Sequence, residues 1–338
     1  MKSIVVVTAL SAVLACGVDN GTPVPGGDVI PDGGTAAVVD TRCADAPNAG
    51  PKTGWLNQRS HVIDGVGESH HRGVDLIATT DDAEQVITGR ATYGAIDMDL
   101  ERENVSLFAC VDQAWKPIGS ARTSDGGWFK LTLTGDARLP EGMRDLYASV
   151  DGDRTGARFL GLVARPGTRV IAADIDGTLT ASENAYPRAL LLGRGVDAQD
   201  NAAATLMSAA MQRVVMVYVS ARGNQFTQDT REWLAAQGFP RGPIVLASPL
   251  ITLPGEDTVE FKTAALGRLD GFDLVAGFGN RASDVAAYEN VGLTPERIFV
   301  KLPEFAGELA DALAGKHAVG FYQYGTVKTN ELATLVNQ

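Results

Sequence analysis

Basic charge is short in this 338-residue chain. Its 29 Lys and Arg face 41 Asp and Glu, leaving a net charge of −12 with no polybasic run. That balance argues against nucleic acid as a partner, because phosphate backbones are bound by basic surfaces. It argues equally against attachment to anionic lipid through a broad basic patch. Long apolar runs are missing as well. The N-terminal stretch from Ile4 to Ala15 falls short of the roughly 20 residues that a spanning helix needs. Histidine and cysteine are few, at four and three. No calcium-loop spacing occurs, so the acidic segment Asp97 to Glu103 reads as a solvated loop. There is no internal repeat. What is present, 45% hydrophobic and 21% charged residues, is globular and long enough for two ordinary domains.

The chain opens with Met1-Lys2, a short apolar core and Val13-Leu14-Ala15-Cys16-Gly17. This pattern resembles a bacterial lipobox, in which Cys16 would be lipidated and become the mature N-terminus; the alternative is an ordinary secretory signal cleaved nearby. Either implies export, with the lipobox reading adding a lipid anchor on the periplasmic or outer side. Cys43 and Cys110 would then sit in an oxidising compartment, either paired or as one loop thiol and one core thiol. Residues 1–16 are therefore read as a signal segment. Residues 17–53, rich in Gly, Pro and Asp, are read as a flexible tether.

Residues 54–166 carry seven short strand-like runs separated by turn signals such as Ser124-Asp125-Gly126-Gly127. In Trp128 to Leu133 the alternation puts Trp128, Lys130 and Thr132 on one side and Phe129, Leu131 and Leu133 on the other. Such a run of strands without helices predicts an immunoglobulin-like β-sandwich. His61, His70, His71 and His317 take no part in the chemistry below, and the His70-His71 pair reads as surface.

From residue 167 to 338 strands and helices alternate, which predicts a parallel α/β sheet. The first strand, Val170 to Ala173, runs into Asp174-Ile175-Asp176-Gly177-Thr178-Leu179-Thr180. Residues i and i+2 on a strand share a face, so both acids can address one reacting group. Two adjacent like charges require compensation, and a divalent cation suits them. Later strand ends supply further groups: Ser220 and Arg222 after Val214 to Val219, and Asn280 and Asp284 after Asp273 to Phe278. Lys262 opens a helix between them. In open α/β sheets such groups gather at the carboxyl ends of strands. The set contains a nucleophile (Asp174) and a general acid/base (Asp176). It also offers phosphate donors (Thr178, Ser220, Lys262, Arg222) and oxygen ligands for Mg²⁺ (Asp174, Asp176, Asn280, Asp284). Arg241 and Arg281 are additional candidates for phosphate or head-group contact, with fixing of the Pro240-Arg241-Gly242-Pro243 turn as the alternative for Arg241.

The order of these pieces resembles the four-part signature of the haloacid dehalogenase superfamily. Within it, Asp174 to Thr180, Tyr218-Val219-Ser220-Ala221-Arg222, Gly238 to Pro243 and Gly277 to Tyr288 resemble the catalytic domain of lipins. The resemblance implies a Rossmannoid three-layer domain, Mg²⁺, and hydrolysis of phosphatidate to diacylglycerol and phosphate through an aspartyl phosphate. It also implies Asp174 as nucleophile and Asp176 as acid/base. Related phosphatidylinositol-transfer proteins have a similar domain that lacks the first Asp and only binds lipid; here both acids are present. Two alternatives stay open: a non-catalytic phosphatidate-binding module, and an exported phosphatase of soluble phosphomonoesters.

Overall fold

The structure is a computed structural model describing residues 37–94, 96–183, 195–248 and 255–327, together with Leu332 and Leu335. Cys16 and the signal segment lie outside the described residues.

The first half is a β-sandwich. Its strands are β1 (Asp40–Thr41), β2 (Arg72–Val74), β3 (Leu76–Thr79), β4 (Glu84–Arg90), β5 (Thr92–Tyr93), β6 (Met98–Asp99), β7 (Asn104–Val111), β8 (Ala114–Arg122), β9 (Trp128–Thr134), β10 (Gly142–Val150) and β11 (Gly156–Ala164). One sheet runs β3-β11-β10-β7-β8, with β1 beside β10; the facing sheet is β2-β4-β9. In β9 the expected alternation holds, with Phe129 and Leu133 buried and Trp128, Lys130 and Thr132 exposed. Ile87, Leu107, Phe129, Leu146 and Phe159 fill the space between the sheets.

Two details differ from the sequence reading. A short helix, Gln58–Ile63, precedes the strands, its first turn capped by the Asn57 side chain. The tether also ends before residue 53: Asp40–Thr41 pairs in parallel with β10, and Cys43 is buried in a disulfide with Cys110. Small and polar residues around this stretch mask the anchoring, which comes from the disulfide, the strand pair and side chains such as Arg158 and Trp115 that hold its carbonyls.

The second half is a six-stranded, wholly parallel sheet: β12 (Arg169–Ala173), β13 (Val215–Gly223), β14 (Ile244–Ala247), β15 (Asp273–Gly279), β16 (Ile298–Lys301) and β17 (Val319–Phe321), in the order β14-β13-β12-β15-β16-β17. Helices cover both faces. Val170, Ala172, Val217 and Val219 point to the face covered by Glu256–Gly267 and Ala282–Asn290. Ile171, Ala173, Met216 and Tyr218 point to the face covered by Ala202–Ala210 and Thr227–Ala236. A near-continuous apolar strand such as β13 is what burial on two faces requires. The expected helix over 304–314 is regular only at Ala310–Ala314, since Pro303 and Gly307 disfavour a longer one. The closing helix expected near 327–336 starts at Tyr324–Val327; its remainder lies outside the described residues except for Leu332 and Leu335.

Strand β11 serves two cores, because successive side chains alternate. Phe159 and Val163 face the sandwich interior, whereas Leu160, Leu162 and Ala164 join the core of the parallel-sheet domain. The polar part of this junction centres on Asp75, buried at the crossing between β2 and β3. Its carboxylate accepts from the Leu160 amide (2.7 Å), the Ile244 amide (2.8 Å) and Arg231 Nη2 (2.8 Å to each oxygen). Arg241 completes the seam by pairing with Asp40 and Asp145. Of the two roles open to Arg241, this pairing fits the loop-fixing one rather than contact with phosphate or a head group. The Pro240-Arg241-Gly242-Pro243 turn carries it to the domain junction instead, where two carboxylates hold it.

Candidate active site

The site forms where β12 ends in the middle of the parallel sheet. The Asp174 amide donates to Phe278 O (2.9 Å), extending the β12–β15 ladder by one residue. Ile175 is fully buried in the core, so the two flanking acids turn to the opposite side. The chain then curls tightly: the Leu179 and Thr180 amides both donate to Ile175 O, and the Gly177 amide donates to Thr180 Oγ1 (2.8 Å). Gly177 has φ +72°, and a Cβ there would sit 2.1 Å from Asn280 Nδ2. Only glycine meets both conditions.

Asp174 is 4% exposed. Lys262, on the helix Glu256–Gly267, places Nζ 2.9 Å from Asp174 Oδ1 and 2.5 Å from Asp284 Oδ1. Burial pushes the Asp174 carboxyl well up; Lys262 opposes this, while Asp284, Glu183 and Asp176 add to it. Burial works against the Lys262 ammonium, yet the two carboxylates outweigh it and raise its pKa. The lysine is therefore a fixed positive charge. Asp284 is shared: its second oxygen accepts from the Asn280 and Arg281 amides, both at 3.0 Å, which caps the helix Ala282–Asn290. Gly279 and Gly277 make room for this packing. A Cβ on the first would lie 2.3 Å from Asp284 Cβ, and one on the second 2.5 Å from the Tyr288 ring.

Thr178, fully buried, stands between two acceptors. Its Oγ1 is 3.1 Å from Asp174 Oδ2 and 3.1 Å from Asn280 Oδ1. One hydroxyl proton cannot satisfy both. Asp176, on the other side, accepts from Ser220 Oγ (3.0 Å) and from Arg222 through Nε (3.2 Å) and Nη2 (2.5 Å).

Two family models match the chain, one to each half. Residues 69–163 match the PITM 1-3 beta-sandwich domain, and residues 171–301 match the PITM 1-3 LNS2 domain. Protein retinal degeneration B of Drosophila melanogaster is 28% identical over 289 residues, covering 80% of this chain and 22% of that protein. Human membrane-associated phosphatidylinositol transfer protein 2 is 27% identical over 256 residues, covering 74% and 18%. Human phosphatidate phosphatase LPIN3 is 31% identical over 176 residues, covering 47% and 20%. The chain thus spans about a fifth of the length of these relatives.

Among solved structures, D,D-heptose 1.7-bisphosphate phosphatase from B. bronchiseptica, complexed with magnesium and phosphate, is 13% identical with a TM-score of 0.37, covering 49% of this chain and 99% of that one. The class C acid phosphatase from Bacillus anthracis is 16% identical with a TM-score of 0.30, covering 46% and 66%. The LNS2 half is related to the lipin phosphatase region. The fold is a β-sandwich followed by a wholly parallel α/β domain whose strand order is that of a doubly wound, Rossmann-type sheet.

Several residues singled out in the sequence find partners in the fold that their spacing did not show. Arg222 was expected on phosphate. Its guanidinium donates to Asp176 and to Thr230 Oγ1 (2.9 Å), which ties it to the second acid. Arg281 pairs with Glu308 (2.9 Å) and Glu183 (3.5 Å) and lies 4.0 Å over the Phe305 ring. His71 is no surface residue. Its Nδ1 accepts from the Thr92 amide (3.1 Å), its Nε2 meets Thr155 Oγ1 (2.8 Å), and burial lowers its pKa to about 4. His70 pairs with Asp97 at 2.7 Å.

Glu183 was missed altogether. Its Oε2 accepts from Asn280 Nδ2 at 2.9 Å, and burial raises its pKa. A polar turn residue nine positions past Asp174 carries no periodic signal; only the fold brings it back to the site.

Among the described residues, no cluster of three or more His, Cys, Asp or Glu side chains is arranged as a metal cage. The oxygen set around Asp174 is of another kind, including a carboxamide and sharing its carboxylates with Lys262. It fits a divalent cation on two counts. Asp174 Oδ2 and Asn280 Oδ1 converge on one hydroxyl, and four carboxylates (Asp174, Asp176, Glu183, Asp284) meet only three cationic side chains (Lys262, Arg222, Arg281). Hard oxygen donors and surplus negative charge suit Mg²⁺.

Proposed function

We propose that this protein is a Mg²⁺-dependent phosphoric monoester hydrolase whose substrate is phosphatidate or a closely similar lipid phosphomonoester. The observation that carries this reading is the buried Asp174 carboxylate at the centre of the sheet, 2.9 Å from Lys262 and two residues from Asp176. Relatedness of the LNS2 half to the lipin phosphatase region supports the lipid substrate.

In this mechanism an Asp174 oxygen attacks phosphorus and the ester P–O bond breaks. Asp176, once it has swung off Arg222 and taken up a proton from solvent, gives that proton to the departing alkoxide oxygen. Asp176 then takes a proton from water, which attacks the aspartyl phosphate and releases phosphate with Asp174 regenerated. Lys262, Thr178 and Ser220 would donate to the phosphoryl oxygens. Asp174, Asp176, Asn280 and Asp284 would hold the cation, which when bound would offset the charge of the transferring group.

We also propose an exported, lipid-anchored location through Cys16. The Cys43–Cys110 disulfide supports an oxidising compartment.

A second reading, a phosphatidate-binding module without turnover, is favoured by the extent of the matches. Protein retinal degeneration B and membrane-associated phosphatidylinositol transfer protein 2 cover 80% and 74% of the chain, whereas LPIN3 covers 47%. Phosphate release would be measured with phosphatidate in mixed micelles, lysophosphatidate and a soluble ester, each with Mg²⁺ and with chelator. Mg²⁺-dependent release favouring phosphatidate supports the first reading. Binding to phosphatidate vesicles with no release at any Mg²⁺ concentration establishes the second, and preference for the soluble ester removes lipid from the account.

A further inference from the structure

The Asn280 carboxamide has two nearly isosteric ends, one accepting and one donating. Its backbone is fixed by the hydrogen bond that its amide donates to Asp284 Oδ2 (3.0 Å), and the side chain is fully buried. Two groups then decide which end faces Asp174. Thr178 Oγ1 lies 3.1 Å from one end, but its single proton is contested by Asp174 Oδ2 at the same distance, so it holds the amide less firmly than a carboxylate does. Glu183 discriminates. Its carboxylate only accepts, so it draws Nδ2 to itself at 2.9 Å and turns Oδ1 toward Thr178 and Asp174.

The rest of the local structure holds Glu183 there. Its amide donates to the Glu304 carboxylate (3.1 and 3.2 Å), and Arg281 bridges it to Glu308 while lying over Phe305. Gly177 leaves the needed space, since a Cβ at that position would come within 2.9 Å of Glu183 Oε2 as well as striking Asn280.

We propose that Glu183 is a positioning residue that sets the Asn280 carboxamide with its oxygen toward Asp174, so that it can serve as a cation ligand. Without Glu183 the amide is free to present its NH₂ group, which repels a cation. The inference rests on the proposed cation site and deepens it. Outer partners that orient metal ligands typically matter by about 10- to 100-fold in affinity.

The test is Mn²⁺ affinity of the full chain, read by calorimetry or by the spin signal of free Mn²⁺, with circular dichroism checking the fold. Glu183→Gln retains an acceptor for Asn280 Nδ2 and should bind within about threefold of the parent, whereas Glu183→Ala and the similarly sized Glu183→Met should bind at least about tenfold more weakly. Adding Asn280→Asp to Glu183→Ala, which replaces the ambiguous amide by two oxygens, should recover affinity. Parent-like affinity in either Glu183→Ala or Glu183→Met overturns the proposal. So does Glu183→Gln binding as weakly as those two, because charge rather than orientation would then be at work. Asp174→Ala separates the two levels: if it binds Mn²⁺ like the parent, the cation site itself is wrong. If it loses Mn²⁺ while Glu183→Ala keeps it, only the role of Glu183 falls.

Discussion

Replacing Lys262 by methionine removes a charge from the least screened ion pair of the site. Lys262 is 6% exposed, Asp174 4% and Asp284 1%, so water does little to weaken the contacts at 2.9 and 2.5 Å. At an effective dielectric near 20, unit charges about 3 Å apart attract by roughly 5 kcal/mol, most of it offset by the cost of burying them. Breaking such a network leaves uncompensated buried carboxylates, which costs about 3–5 kcal/mol. Methionine fills most of the lysine volume, so a cavity contributes little.

The loss should depend on pH in a defined direction. Without Nζ, the group that counters burial at Asp174 is gone, and a carboxyl already raised moves higher. An acid whose folded pKa exceeds its unfolded value binds more protons when folded, so its contribution to stability falls as pH rises through that window. Lys262→Met should therefore show its largest deficit near pH 8 and a smaller one near pH 5. For the parent, the raised Lys262 pKa means that its stabilisation is complete below the unfolded lysine value and is lost only at strongly alkaline pH. Urea denaturation at pH 5, 6.5 and 8, without divalent cation, measures this directly. Equal stability of the variant and parent at pH 8, or a deficit that grows on acidification, would refute the reasoning.

Asp75→Asn should cost about 3–5 kcal/mol, because a single oxygen cannot serve Arg231 and the Leu160 and Ile244 amides together. Since β11 belongs to both cores, the parent should unfold in one transition and the variant earlier; unchanged urea midpoints would remove Asp75 from the junction. His71, held neutral with a pKa lowered to about 4, should make the parent lose roughly 2–3 kcal/mol between pH 6.5 and pH 4, as the unfolded histidine gains its proton first. His71→Gln should flatten that slope, and an equal slope in both proteins would assign it to other groups.

The parallel sheet was legible because β12, β13 and β15 are apolar runs ending in polar motifs, and burial on both faces demands that composition. The paired acids were legible because strand geometry sends Asp174 and Asp176 the same way. The partners of Arg222 and Arg241 were not legible, because an arginine has a long side chain and its partner is chosen in three dimensions. Arg222 turned to Asp176, and Arg241 to carboxylates brought by the sandwich. Glu183 and Asp75 were silent, since a lone acid in a turn or between short strands looks solvated until the fold supplies a carboxamide or an arginine. The half-buried His71 has the same origin. Its local sequence is polar, and the Thr92 amide and Thr155 hydroxyl that enclose it come from other strands.

The central claim is that Asp174 carries the phosphoryl group. Acid-quenching the protein during turnover of phosphatidate with Mg²⁺, then locating phosphate by peptide mass spectrometry, tests it most directly. The account predicts acyl-linked phosphate on Asp174, absent in Asp174→Asn, which should also release no phosphate. Sustained Mg²⁺-dependent release by Asp174→Asn, or phosphate trapped on a different residue, would contradict it.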